Sequence, residues 1–309
     1  DSTQGWLPVS DDAVVFDHDP PPTQKAIFAY GTTGSVVSLK NLVNSSGVIA
    51  ADVTGVGTAR TNLAACGYNL DKAIFAYGST DGTNQVSMSN LVSNSGVVAA
   101  DVTGVGTARL VLAAARYGGD KGIFAYGLTT GVVSMSNLVS SSGVIATDVT
   151  GVGTARWGLA AAGYGTDKAI FGYGTTGSVS SLSNLVSNSG VVASDVSGVG
   201  TARYLISATS YGTDKAIFGF GYTDSNVSIT NLVNNVGVVG SDVSGVGTAR
   251  RVAAGTGYGG DKAIFAYGRV SGYVSMSNLV SNSGVVASDV TGVGTARDAL
   301  DAAGYSISA

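Results

Sequence analysis

Hydrophobic and polar positions recur along this chain in a fixed order. In KAIFAYG, Lys25–Gly31, the residues Ala26, Phe28 and Tyr30 alternate with Ile27 and Ala29, so both faces of an extended segment are apolar. That pattern predicts a strand covered on both sides. A second strand is predicted near VSMSNLVS, as at Val86–Ser93, followed by the short turn Asn94-Ser95-Gly96 and a third strand at VVAADV, Val97–Val102. After TGVGTAR comes a fourth strand of small residues, such as LAAAGYG at Leu159–Gly165. A turn such as Thr166-Asp167 then leads into the next KAIF. Every connection is short, so neighbouring strands should be antiparallel.

The unit occurs six times. Its opening Lys falls at Lys25, Lys72, Lys121, Lys168, Lys215 and Lys262, and its closing Arg at Arg60, Arg109, Arg156, Arg203, Arg250 and Arg297. A fixed period of this size marks one supersecondary unit repeated. Six units of four short strands, apolar on both faces, predict an all-β fold: a six-bladed β-propeller of four-stranded antiparallel blades over residues 25–309. A non-repeat N-terminal arm, residues 1–24, precedes it. The end of the chain, Leu300–Ser306, is expected to pair with Lys25–Gly31 and close the ring.

The stretch TARWGLAAAGYGTDKAIFGYG, Thr154–Gly174, resembles the kelch repeat: an Arg, a small-residue strand, a turn, then an apolar strand ending in glycine. Gly172-Tyr173-Gly174 stands where kelch has paired glycines, and the later Trp is missing. The repeats also resemble those of uncharacterised phage-virion and marine microbial surface proteins. These likenesses imply a propeller in a virion or extracellular setting.

Composition supports a turn-rich β protein. The 46 Gly sit at fixed places in the repeat, and every one of the twenty acidic residues is Asp, a turn residue. The only His is His18, in the arm. With no Glu and no His in the repeats, the usual general base and any His-containing triad are missing, so no catalytic residue and no enzyme activity is expected. A propeller-class hydrolase using paired Asp is the least favoured reading. The regular carboxylates, Asp52, Asp101, Asp148, Asp195, Asp242 and Asp289, are expected to partner the repeat Arg or to hold the GVGT loop through side-chain hydrogen bonds. Cys66 aligns with Ala115, Ala162, Thr209, Thr256 and Ala303 and reads as a small buried side chain. No apolar run reaches 18 residues, so no membrane span is expected. There is no initiator Met and no signal-like start at Asp1, which points to processing or to the ordered part of a longer chain.

The arm carries all four Pro, five of the Asp and no Lys or Arg, and so accounts for the formal net charge of −4. Pro20–Pro22 should form a stiff spacer. Trp6, Val14, Val15 and Phe16 are its candidate docking residues, because a lone strand at 13–16 needs a sheet edge elsewhere. The cluster of Asp11, Asp12, Asp17, His18 and Asp19 matches no zinc or EF-hand spacing, so no metal and no cofactor is expected. The near-neutral repeats lack the basic face that nucleic acid requires.

Comparison of the copies with one another shows where they differ. KAIF, SNLVS and GVGTAR scarcely change. The pair after each TAR and the loop after each FAYG do change. Antiparallel alternation brings both loop sets to one end of the sheets, where diversified loops on a rigid scaffold suit binding. Trp157, Tyr204, Tyr222, Arg251, Arg269 and Tyr273 are therefore the candidate recognition residues. The expected function is a non-enzymatic structural or recognition propeller of a virion appendage or extracellular fibre, self-assembling or joining a larger assembly through the arm. The alternative is a lectin-like binder of surface glycans.

Overall fold

The computed structural model describes residues 23–309. Trp6, Val14, Val15, Phe16 and the Asp/His cluster of the arm lie outside the described residues. The strands run from β1 (Lys25–Ala29) and β2 (Lys40–Val43) through β3 (Ala64–Tyr68), β4 (Lys72–Ala76) and β5 (Ser89–Val92), and on with the same lengths to β18 (Asp301–Tyr305). They form six three-stranded antiparallel sheets, an all-β architecture of repeated units consistent with a propeller.

In each sheet the KAIF strand is central, flanked by the small-residue strand on one side and SNLV on the other, as in β3-β4-β5. A sheet thus takes its first strand from the preceding sequence repeat. The sixth sheet is β18-β1-β2, in a register from Lys25↔Tyr305 to Ala29↔Asp301. This is the predicted pairing of the two ends of the repeat array.

The four-stranded unit needs correction. The VVAADV segment makes only two isolated bridges to its neighbour, Val92↔Val98 and Ser89↔Val102, and the register slips by one residue between them. The cause is the Asn90 side chain. Its Nδ2 donates to the Ala99 carbonyl (3.0 Å), a backbone acceptor that a regular ladder would use, and is held there by a second bond to Asp101 Oδ1 (2.9 Å). The segment therefore bulges, and Val97 and Val102 stay exposed.

The small-residue strands β3, β6 (Ala113–Tyr117), β9 (Ala160–Tyr164), β12 (Ser207–Tyr211), β15 (Ala254–Tyr258) and β18 lie side by side in that order, and β18 returns to β3. Side chains this small allow close approach: a Cβ added to Gly255 would meet the Ala208 carbonyl oxygen at 2.8 Å. Backbone hydrogen bonds tie the sheets cyclically at one end. The amides of Asn69, Gly118, Gly165, Gly212, Gly259 and Ser306 donate to the carbonyls of Asp120, Asp167, Asp214, Asp261, Gln24 and Asp71. Each of these links joins neighbouring sheets, so the order of connection runs once round all six.

Between sheets the core is aromatic and aliphatic. Tyr30 packs on Phe75, Tyr77 on Phe124, Tyr126 on Phe171, Tyr173 on Phe218, Phe220 on Phe265 and Tyr267 on Phe28, with ring centroids 5.1–5.4 Å apart. The first aromatic of each pair has a left-handed backbone, φ 62–66°. That conformation is costly for a bulky residue, on the order of 1 kcal/mol or more. It turns the ring under the Arg that closes the same repeat, as with Tyr126 beneath Arg156, and the contact with the guanidinium compensates. The Tyr that ends each small-residue strand is buried against the next sheet. The ring of Tyr68 lies under the turn at Gly143, where positive φ and a 2.9 Å approach leave no room for a Cβ.

The repeat Arg is the main clip between neighbours. All six are fully buried. Arg156 Nε donates to the Tyr173 carbonyl (2.7 Å), Nη1 to the Thr154 carbonyl (3.0 Å) and Nη2 to Asn184 Oδ1 (2.6 Å). Asn184 in turn donates to Asp195 (2.9 Å), which accepts from the Thr154 amide and hydroxyl. The guanidinium also lies 4.6 Å from the Tyr126 ring centroid and 3.7 Å from Asp195. The regular Asp holds the GVGT loop in all six units and lies within 4.0 Å of the Arg in five, Asp242 being the exception.

Candidate binding face

The GVGTAR loop ends with the buried Arg, and the second residue beyond it turns sharply. Asn62, Val111, Leu205, Val252 and Ala299 have φ of 51–56°. Their amides reach from sheet to sheet: Val111 donates to Asn62, Gly158 to Val111, Leu205 to Gly158 and Val252 to Leu205, each to the carbonyl. This turn sets the first residue after TAR beside the first residue of a FAYG loop. The bridges Trp157↔Thr175, Tyr204↔Tyr222, Arg251↔Arg269 and Asp298↔Thr32 follow. The two variable loop sets are thus paired residue by residue at one end of the sheets.

The six predicted residues fall in consecutive units, each partly exposed. Trp157 packs edge-on against Tyr204 (5.2 Å), and Tyr204 against Tyr222 (5.8 Å). Arg251 lies over Tyr222 (4.7 Å) and donates to Asn226 Oδ1 (3.0 Å). Arg269 lies over Tyr273 (5.1 Å), and its Nη1 is 3.7 Å from Asp298 Oδ2. The result is a continuous belt, aromatic at one end and charged at the other.

At the charged end is a cavity of about 550 Å³, lined in part by Thr32, Thr61, Asp81, Arg251, Arg269 and Asp298. Burial pushes the Asp298 carboxyl up to about 6 against the pull of Arg269 and Arg251. Asp81 is held well below the usual range, at about 2, by the amides of Asn84 and Thr83 in its own turn. Thr61 Oγ1 is buried and has no hydrogen-bond partner among the described residues. Asp298 and Thr61 stand at the variable position after TAR, where they read as small or polar loop residues. Their burial depends on the loop pairing, which the repeat pattern does not convey.

A second cavity, of about 420 Å³, is lined by the six small-residue strands. Three chemically distinctive residues there are Cys66, Arg116 and Asp301. Cys66 is buried, and burial pushes its thiol far up. Arg116 donates to the Gly119 and Leu70 carbonyls. Asp301 stands where the other strands have Ala or Ser. Among the described residues no group of three His, Cys or Asp forms a metal-binding cluster.

No protein-family model matches the chain, and no curated protein matches it.

Proposed function

We propose that the protein is a kelch-like six-bladed β-propeller that acts as a non-enzymatic recognition module, holding a surface glycan on its variable face. The observation that carries this reading is the belt from Trp157 to Asp298. The positions at which the repeats diverge are gathered into one contiguous aromatic and Arg surface on an otherwise monotonous scaffold. Aromatic faces stack on sugar C–H groups, and Arg supplies directed donors to hydroxyl and acidic oxygens. On a glycan array, the Trp157→Ala/Tyr204→Ala double variant should lose at least tenfold in binding while keeping the far-UV circular dichroism of the parent. A parent protein that binds no glycan at all would remove this reading.

A second role, attachment to a virion appendage or extracellular fibre through the arm, is favoured by where the chain enters the sheets. Gly259 donates to the Gln24 carbonyl and Gly260 to the Thr23 carbonyl. These turns are at the end of the sheets opposite the variable loops. Docking through the arm would leave the recognition face free. Deleting residues 1–22 should abolish assembly and leave a folded monomer. Assembly that survives the deletion, measured by light scattering, would refute the attachment role.

A further inference from the structure

The belt is uneven, and its charged end has the features of a specific subsite. We infer that the face takes a glycan bearing a carboxylate, a uronic-acid type of sugar, with its carboxylate in the cavity between Arg251 and Arg269 and its ring on Tyr222 and Tyr204. This inference rests on the glycan reading above and adds the ligand class.

Two arginines converge here. The backbones of Arg251 and Arg269 exchange hydrogen bonds of 3.1 and 2.9 Å, so their side chains leave from directly opposed positions. Both line the same cavity. Each guanidinium is held over an aromatic ring, Tyr222 or Tyr273, and is thereby placed before any ligand arrives. Arg251 makes its one side-chain bond to Asn226 and no ion pair with a carboxylate among the described residues. Arg269 pairs with Asp298 at 3.7 Å, beyond hydrogen-bond distance, so its donors stay available.

The chain itself places a carboxylate in this cavity. Asp298 shows that an anionic oxygen fits beside Arg269, and a ligand carboxylate could do better by bidentate bonding. The adjoining aromatic rings suit the apolar face of a pyranose. A bare inorganic anion would leave them unused.

Asp298 also makes the site pH-sensitive. The charged groups facing it are Arg269 and Arg251, with Asp81 elsewhere on the cavity wall and Thr32 and Thr61 as neutral neighbours. At neutral pH its charge competes with the ligand for the two arginines. Protonation near pH 5 removes that competitor, while a uronic acid stays ionised.

The test is an array of uronic-acid oligosaccharides printed beside their methyl esters and beside sulfated and neutral oligosaccharides, read at pH 7 and pH 5. The acidic forms should bind at least tenfold more tightly than their esters, and several-fold more tightly at pH 5 than at pH 7. Arg251→Ala and Arg269→Ala should each lose tenfold or more. Asp298→Asn should bind more tightly at pH 7 and lose the pH dependence. Equal binding of acids and esters, or binding only to neutral or sulfated glycans, overturns the carboxylate site and leaves the glycan reading standing. An array with no bound glycan removes both.

Discussion

Replacing Arg156 by Ala should lower the unfolding free energy by about 3–5 kcal/mol, the cost typical of breaking a buried charge network from one side. The substitution leaves Asn184 Oδ1 and the Tyr173 carbonyl without their donor in a dry interior, and removes the charge stacked on Tyr126. Asp195 keeps its Thr154 bonds but loses the neighbouring cation. Arg156→Lys should recover little, since one ammonium cannot reach the Tyr173, Thr154 and Asn184 oxygens together. Arg60 provides the contrast. It is equally buried, but among the described residues its Nε and Nη1 have no hydrogen-bond partner, and only Nη2 reaches Asn90. Arg60→Ala removes a poorly satisfied charge and should cost clearly less than Arg156→Ala. Urea denaturation of the two variants checks the order. Equal losses, or a loss below about 1 kcal/mol at Arg156, would show that the clip is not what holds neighbouring sheets together.

The poorer satisfaction at Arg60 coincides with a local change in the repeat. The repeat that follows it has the loop 79–85, longer by two residues than its counterparts, and there the bond from Arg Nε to the aromatic carbonyl is missing. Much of the architecture was legible before any coordinates. Strict repetition of KAIF, SNLV and the small-residue strand marks three strands per unit, and alternation places the variable loops at a common end. The overcounted strand, VVAADV, has a good strand pattern. What interrupts it is the Asn90 side chain, which looks like a strand residue in SNLV and acts instead as a donor across the ladder. The aromatic half of the face was also legible, because Trp157, Tyr204 and Tyr222 break the repeat with large side chains. Asp298, Thr61 and Asp301 were not. Their importance lies in losing water or partners, and that depends on how closely six copies crowd together.

Asp301→Asn should stabilise the protein at pH 8 and change little at pH 4. Asp301 occupies the position of Ala64, Ala113, Ala160, Ser207 and Ala254 on the small-residue strands. Its carboxylate accepts from the Ala65 amide (2.7 Å) and the Ala302 amide (2.9 Å) and meets no counter-charge among the described residues. Burial pushes it up to about 7, and the two amide bonds only moderate that rise. A carboxyl raised in the folded state binds its proton more tightly than in the unfolded chain. The stability it confers is complete below about pH 4 and is lost as pH rises through about 7. The clip carboxylates act with the opposite sign. At Asp195 partial burial opposes ionisation, but bonds from Thr154 and Asn184 and the charge of Arg156 outweigh it and hold the carboxyl below its usual value. Their stability is present above about pH 4 and is lost on acidification through the lowered values. The parent should therefore be most stable in a narrow mildly acidic window, with the acid flank set by the six clips and the alkaline flank by Asp301 together with Asp298. Asn at 301 keeps an acceptor for Ala65 and cannot ionise, so it should shrink the alkaline flank to the smaller part set by Asp298 and leave the acid flank unchanged. Thermal unfolding followed by circular dichroism from pH 3 to pH 9 separates the two flanks. If Asp301→Asn melts at or below the parent's temperature at pH 8, the carboxylate is solvated well enough that its burial carries no penalty.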